Sequence, residues 1–104
     1  MASYINVARE ADVAPGRVKC VRTGGRRIAL FNESGTVVAY ADYCTHSGAP
    51  VSEGSYENGV VTCPWHGAQF RVEDGKALTP PAGGNLRCYP VRVVAGAIAV
   101  EIDA

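Results

Sequence analysis

Cys44-Thr45-His46 and, after sixteen further residues, Cys63-Pro64-Trp65-His66 are the stretches on which the reading of this chain turns. The sequence has two histidines, each lies close to a cysteine, and Gly48 and Gly67 follow shortly after them. Two sulfur and two nitrogen donors therefore come from two tight loops, as C-x-H and C-x2-H. Thiolate and imidazole ligands suit zinc and iron-sulfur centres alike, so the order of ligands carries the distinction. A zinc finger with two cysteines and two histidines presents both cysteines in one knuckle and both histidines on a following helix. Here each loop supplies one of each, and residues 58–70, with Gly59, Pro64 and Gly67, are poor helix material. A centre of two irons, one taking both cysteines and the other both histidines, needs no ligand beyond Cys44, His46, Cys63 and His66.

Outward from these loops the texture is that of short strands. Twelve glycines and six prolines interrupt the chain, and no window sustains the apolar spacing of a long helix. Strands are expected at residues 4–8, 17–23, 26–32, 36–41, 86–93 and 97–102, with short β stretches at 59–63 and 69–72. The polar segment 9–16, with its Pro15-Gly16 turn signal, has room for one helical turn. Gly24-Gly25 and Ala95-Gly96 read as hairpin turns, and Glu33-Ser34-Gly35 as a further turn in an antiparallel meander. Between residues 42 and 85 apolar dipeptides alternate with Gly, Pro and Ser, the texture of an inserted, loop-built subdomain. The expectation is one all-β domain whose two ends form a sheet system around that insert.

Composition narrows the function. At 104 residues the chain suits one hydrophobic core. Ten Lys and Arg balance ten Asp and Glu with no basic block, which argues against a nucleic-acid partner. No stretch approaches the roughly 18 apolar residues of a membrane span, and residues 1–12 lack the basic start and apolar middle of a signal peptide. A cytoplasmic protein is expected. Cys20 and Cys88 fall in strand-like runs and read as small buried hydrophobes. Segments 43–52, 63–70 and 77–86 contain no charged side chain although 19% of the chain is charged. If they meet, they form a neutral cap suited to brief docking, with Trp65 beside His66 a candidate contact and Asp42, Glu53, Arg71, Glu73 and Asp74 around the edge as steering charges.

CTHSGAPVSEG and CPWHGAQF resemble the two cluster loops of the Rieske-type [2Fe-2S] ferredoxins, the electron carriers of bacterial aromatic-ring-hydroxylating dioxygenase systems. Leu78-Thr79-Pro80-Pro81-Ala82 is similar to the proline loop that covers the cluster in that family. The resemblance implies a Rieske-like fold: an antiparallel β-sandwich or barrel base from about residues 1–42 and 86–104, and a small cluster-binding subdomain at about 43–85. It implies one [2Fe-2S] cluster, with Cys44 and Cys63 on an iron that stays ferric and His46 and His66 on the iron that accepts the electron. Two thiolates leave the oxidised centre neutral, so reduction is easier than in an all-cysteine cluster. The resemblance also implies that Gly48, Gly67, Gly83 and Gly84 bring backbone N–H groups close to cluster sulfur.

High-potential Rieske proteins carry extra cysteines and Ser and Tyr hydroxyls where this chain resembles them with Ala49, Trp65, Ala68 and Phe70. Fewer donors leave the reduced cluster less stabilised, so a low potential is expected. The implied role is a monomeric one-electron carrier, itself no enzyme, between an FAD-containing ferredoxin reductase and a terminal oxygenase. A whole oxygenase subunit would need a mononuclear iron with further histidines, which this sequence does not hold unless it is a fragment. The alternatives are the small Rieske subunit of an assimilatory nitrite reductase and, from another class, a structural zinc-binding module.

Overall fold

Ile28, Ala29, Leu30 and Phe31 form an unbroken apolar run, and all four side chains are wholly buried. That is the signature of a strand covered on both faces. In the computed structural model, which describes residues 2–45, 48–65, 67–79 and 84–103, this run is the centre of β3 (Arg26–Glu33). It pairs with β2 (Val18–Thr23) through Gly24-Gly25, and with β4 (Thr36–Ala41) through Ser34-Gly35. Both glycines of the first turn have positive φ, 58° and 76°, as a tight two-residue hairpin requires. β8 (Cys88–Tyr89) adds to β4 and completes a sheet ordered β2-β3-β4-β8.

Alternation along this middle sheet divides the molecule into two cores. Ile28, Leu30 and Ala39 face the chain-terminal sheet, made of β1 (Ala2–Arg9), β10 (Ala97–Asp103) and β9 (Val91–Val94), with Val21, Ile98 and Val100 in the same cluster. Ala29, Phe31 and Tyr40 face the opposite way, into a core shared with Cys44, Cys63, Val61, Phe70 and Val72. The layer over that face is a small sheet of β5 (Ser55–Glu57), β6 (Val60–Thr62) and β7 (Gln69–Arg71). Phe31 meets Tyr56 edge to face at 5.0 Å between ring centroids. Each fully buried Phe or Ile side chain stabilises the fold by about 1.5–3 kcal/mol, so this double-sided strand organises both layers.

The all-β expectation is met, and the single turn expected in residues 9–16 is a 3-10 turn at Glu10–Asp12. A second 3-10 turn, Val51–Glu53, lies in the insert. The strand expected at 86–93 is instead broken at Pro90, and β8 and β9 belong to different sheets. Proline has no N–H to offer a ladder, and the chain changes sheet there while Pro90 O still accepts from Glu101 N–H at 3.0 Å. β5 was not expected; its signal was Asn58-Gly59, a strong hairpin dipeptide, here with φ of 53° and 75°.

Cys20 and Cys88 correct the reading of both as buried. They occupy the two edge strands of the middle sheet, in one cross-strand row with Ala29 and Tyr40, and both residues are exposed. Alternation placed them on an inward face, but a residue on an edge strand is covered only as far as the next layer extends.

Candidate metal centre

Cys44 and Cys63 head two loops of the same build. Cys44 N–H donates to Ala49 O at 2.8 Å, and Gly48 N–H donates to Cys44 O at 2.8 Å. In the second loop Cys63 N–H donates to Ala68 O at 2.7 Å, and Gly67 N–H to Cys63 O at 3.2 Å. Each cysteine is followed by a glycine of positive φ, 78° at Gly48 and 72° at Gly67, and then by a wholly buried alanine. The glycines turn the chain back on its cysteine, a conformation that a side chain would strain. Their own N–H groups are used on the cysteine carbonyls. Gly83 lies outside the described residues, and Gly84 contributes a carbonyl, accepting from the Thr45 hydroxyl at 2.7 Å.

The two cysteines are 0% and 2% exposed, belong to one core cluster, and are in no disulfide. His46 and His66 lie outside the described residues, as do Pro80, Pro81 and Ala82 of the expected proline loop. The flanks of that loop are tied to both cysteine loops. Leu78 N–H donates to Gln69 O at 2.8 Å, and Gln69 N–H donates to the Thr79 hydroxyl at 3.1 Å, while Thr45 reaches Gly84. The three uncharged segments thus meet at one end. Each exposes one large apolar side chain there: Tyr43, Trp65 and Leu78.

Two contacts hold the stems of the loops. Asp42, only 1% exposed, accepts Ser52 N–H at 2.8 Å on one carboxylate oxygen and the Ser52 hydroxyl at 2.5 Å on the other. Gly54 packs so closely on the strand leading to Cys63 that a β-carbon there would stand 1.8 Å from Thr62 O. Neither contact was read from the sequence; for Asp42 the available signal was a carboxylate at the border of an uncharged run, two residues before a cysteine.

The edge charges are also corrected. Asp42 is buried rather than steering. Glu73 lies at the far end of the insert, beside Glu33 and the Ser34 turn, and Val72 N–H in the same turn donates to Gly59 O. Arg71 and Asp74 pair with each other across that turn, and the arginine's hydrogen bonds are the main cause holding the Asp74 carboxyl down to about 2. Glu53, directly after Ser52, remains exposed near the cap. The Cys20 thiol lies beside Asp42 and Ser52; partial burial, with the Asp42 carboxylate adding to it, pushes it above the ordinary thiol value.

Paired buried sulfurs at the heads of matched loops, each with a histidine two or three residues beyond, are a donor set suited to a [2Fe-2S] centre. Comparison with known proteins agrees. Residues 3–90 match the Rieske [2Fe-2S] domain, and the chain belongs to that family. It carries one Rieske-type [2Fe-2S] cluster, which sets the zinc module aside. The chain is 42% identical over 93 residues to the 3-phenylpropionate/cinnamic acid dioxygenase ferredoxin subunit of Escherichia coli strain K12, covering 88% of this chain and 87% of that protein. It is 35% identical over 91 residues, 88% of each, to the ferredoxin component of the naphthalene 1,2-dioxygenase/salicylate 5-hydroxylase systems of a Ralstonia species. Among solved structures, a chain in the complex of reduced oxygenase and oxidised ferredoxin in carbazole 1,9a-dioxygenase superimposes with a TM-score of 0.85 at 32% identity, covering 93% of this chain and 91% of that one.

Proposed function

We propose that this protein is a one-electron carrier ferredoxin of an aromatic-ring-hydroxylating oxygenase system, with Cys44, His46, Cys63 and His66 as the four cluster ligands. The observation that carries the reading is the matched pair of loops: two buried cysteines in the same hydrogen-bonded turn, meeting in one core beneath an uncharged surface. When bound, a [2Fe-2S] centre supplies a site that takes up and gives back one electron. The chain does the rest. Cys44 and Cys63 anchor the site from the core, their loops and the flanks of the proline segment shield it from water, and His46 and His66 supply the two nitrogen ligands. Residues of about 43–85 act as the cluster-binding part and about 1–42 with 86–104 as its base.

In this reading an FAD-containing ferredoxin reductase donates the electron, a terminal oxygenase accepts it, and the carrier works as a cytoplasmic monomer. Among the described residues no helix is long and apolar enough to cross a membrane. The ferredoxin names of the relatives support a separate carrier over a fixed nitrite reductase subunit. The test is anaerobic purification followed by iron and sulfide analysis, visible and paramagnetic resonance spectra, and reconstitution with a dioxygenase reductase and oxygenase. Two irons and two sulfides per chain, a reducible visible band and carrier-dependent turnover are expected. A colourless protein, or stable copurification with a large reductase chain, would overturn the carrier reading. Replacing His46 or His66 by Cys or Ala tests the ligand set through loss of the Rieske spectrum.

A further inference from the structure

Arg22 and Arg27 are directly opposite each other in the β2–β3 ladder. Like charges in that position repel across the strands, and a sheet tolerates the pair only at some cost. Both lie on the face of the middle sheet that carries Ala29 and Phe31 toward the cysteine core, since residues paired across a ladder share a face. They lie at the cluster end of that sheet: Asp42 N–H donates to Arg27 O at 3.0 Å, and Cys44 is two residues further on. Among the described residues neither guanidinium has a carboxylate partner. The Arg9–Asp12 and Arg71–Asp74 ion pairs do not involve them, and the nearby Asp42 carboxylate is buried and already bonded to Ser52.

Charge is thereby sorted along the molecule although the chain is formally neutral. Arg87 O accepts Ala41 N–H on the neighbouring strand, so three arginines, Arg22, Arg27 and Arg87, stand near the exit to the first cysteine loop against Asp42 and Glu53. At the opposite end Glu33, Glu57 and Glu73 gather around the Ser34 and Asn58 turns, lining two clefts, with Asp74 beside Glu73 and with Arg17, Arg71 and Lys76 as the cations nearby. Net charge alone gives such a protein no long-range steering; this separation does.

We infer that Arg22 and Arg27 make the electron-exit end of the protein locally positive and fit it to a redox partner whose docking face is rimmed with carboxylates. The inference rests on the carrier reading above and adds to it the chemistry of the partner surface. The uncharged apolar cap with Tyr43, Trp65 and Leu78 makes close contact, while the arginine pair at its side selects the approach and sets the on-rate.

Stopped-flow oxidation of the chemically reduced holoprotein by two small oxidants tests this without any protein partner. Ferricyanide, a trianion, and tris(phenanthroline)cobalt(III), a trication, each take one electron, becoming ferrocyanide and the cobalt(II) complex. From about 10 to about 200 mM salt the screening length shrinks from roughly 30 Å to below 10 Å. The ferricyanide rate should fall several-fold and the cobalt rate should rise. Arg22→Gln with Arg27→Gln should flatten both slopes at unchanged midpoint potential and visible spectrum, whereas Arg22→Lys and Glu57→Gln with Glu73→Gln should keep them. Salt-independent rates in the native protein, or slopes that survive the double arginine substitution, overturn the inference. Absence of a reducible visible band is seen before any rate is taken, and it overturns the carrier reading itself.

Discussion

Asp42 and Ser52 close the segment that carries Cys44. One carboxylate oxygen takes the serine N–H at 2.8 Å and the other its hydroxyl at 2.5 Å, so the two ends of the first cysteine loop are joined through a side chain rather than a ladder. Hydrogen bonds to charged groups contribute about 1.5–3 kcal/mol each. Asp42→Ala should therefore lower unfolding stability by roughly 2–4 kcal/mol and speed loss of visible colour under mild denaturant. Ser52→Ala, which keeps the backbone bond, should cost about 1–2 kcal/mol. Equal stability of native and Asp42→Ala proteins in urea melts would remove the clasp from the account.

Gly54→Ala places a carbon 1.8 Å from the Thr62 carbonyl oxygen, a backbone atom that cannot swing aside. Overpacking of this kind costs about 1–3 kcal/mol and occasionally more. The variant should fall at or above the upper figure and retain less iron after purification, because the strand that must move leads into Cys63. Iron content matching the native protein would contradict this.

Ala49, Ala68 and Phe70 are wholly buried beside the two cysteines and offer no side-chain donor to a cluster sulfur. The midpoint potential should lie near the low end of the roughly −150 to +300 mV that Rieske centres span. Ala68→Ser should move it upward by adding one donor. Potentiometric titration checks both, and a native value well above zero would sink the first.

Trp65 is 63% exposed at the tip of the second cysteine loop. Trp65→Ala should alter stability by no more than about 0.5 kcal/mol, as is usual for surface substitutions, yet raise the KM of a partner oxygenase for the carrier several-fold. Steady-state turnover against carrier concentration separates these outcomes; an unchanged KM would take Trp65 out of the docking surface.

Burial is the main cause raising the Tyr40 and Tyr56 phenols above their ordinary value of 10.0, and the Glu33 carboxylate adds to it at Tyr56. Tyr40 also donates to Val72 O at 2.6 Å. A phenol whose folded value is raised lends stability that is complete below the unfolded value and lost as pH rises toward the folded one. Urea midpoints should accordingly show no pH dependence from these phenols below about pH 10, where their contribution is complete, and a fall above it, with part of the tyrosinate absorbance appearing only on unfolding. Midpoints that rise beyond pH 10 would contradict the sign.

The apolar runs of β3 and β4, the hairpin glycines and the C-x-H and C-x2-H spacing are local properties, and they were enough to specify an all-β chain and to mark two candidate cluster loops. Periodicity and turn chemistry act within a few residues, so residue order alone carries them. The exposure of Cys20 and Cys88, the burial of Asp42 and the removal of Glu73 from the cluster end were decided only in three dimensions. A strand pattern states which face a side chain takes, not how far the next layer extends over it, and Cys20 and Cys88 lie where that cover stops. A charged residue beside an uncharged run can point outward or be enclosed, and Ser52, ten residues away in the chain, supplies the hydrogen bonds that allow Asp42 to be enclosed. The opposed arginines follow the same rule: each is unremarkable in sequence, and only the register of β2 on β3 brings Arg22 and Arg27 together.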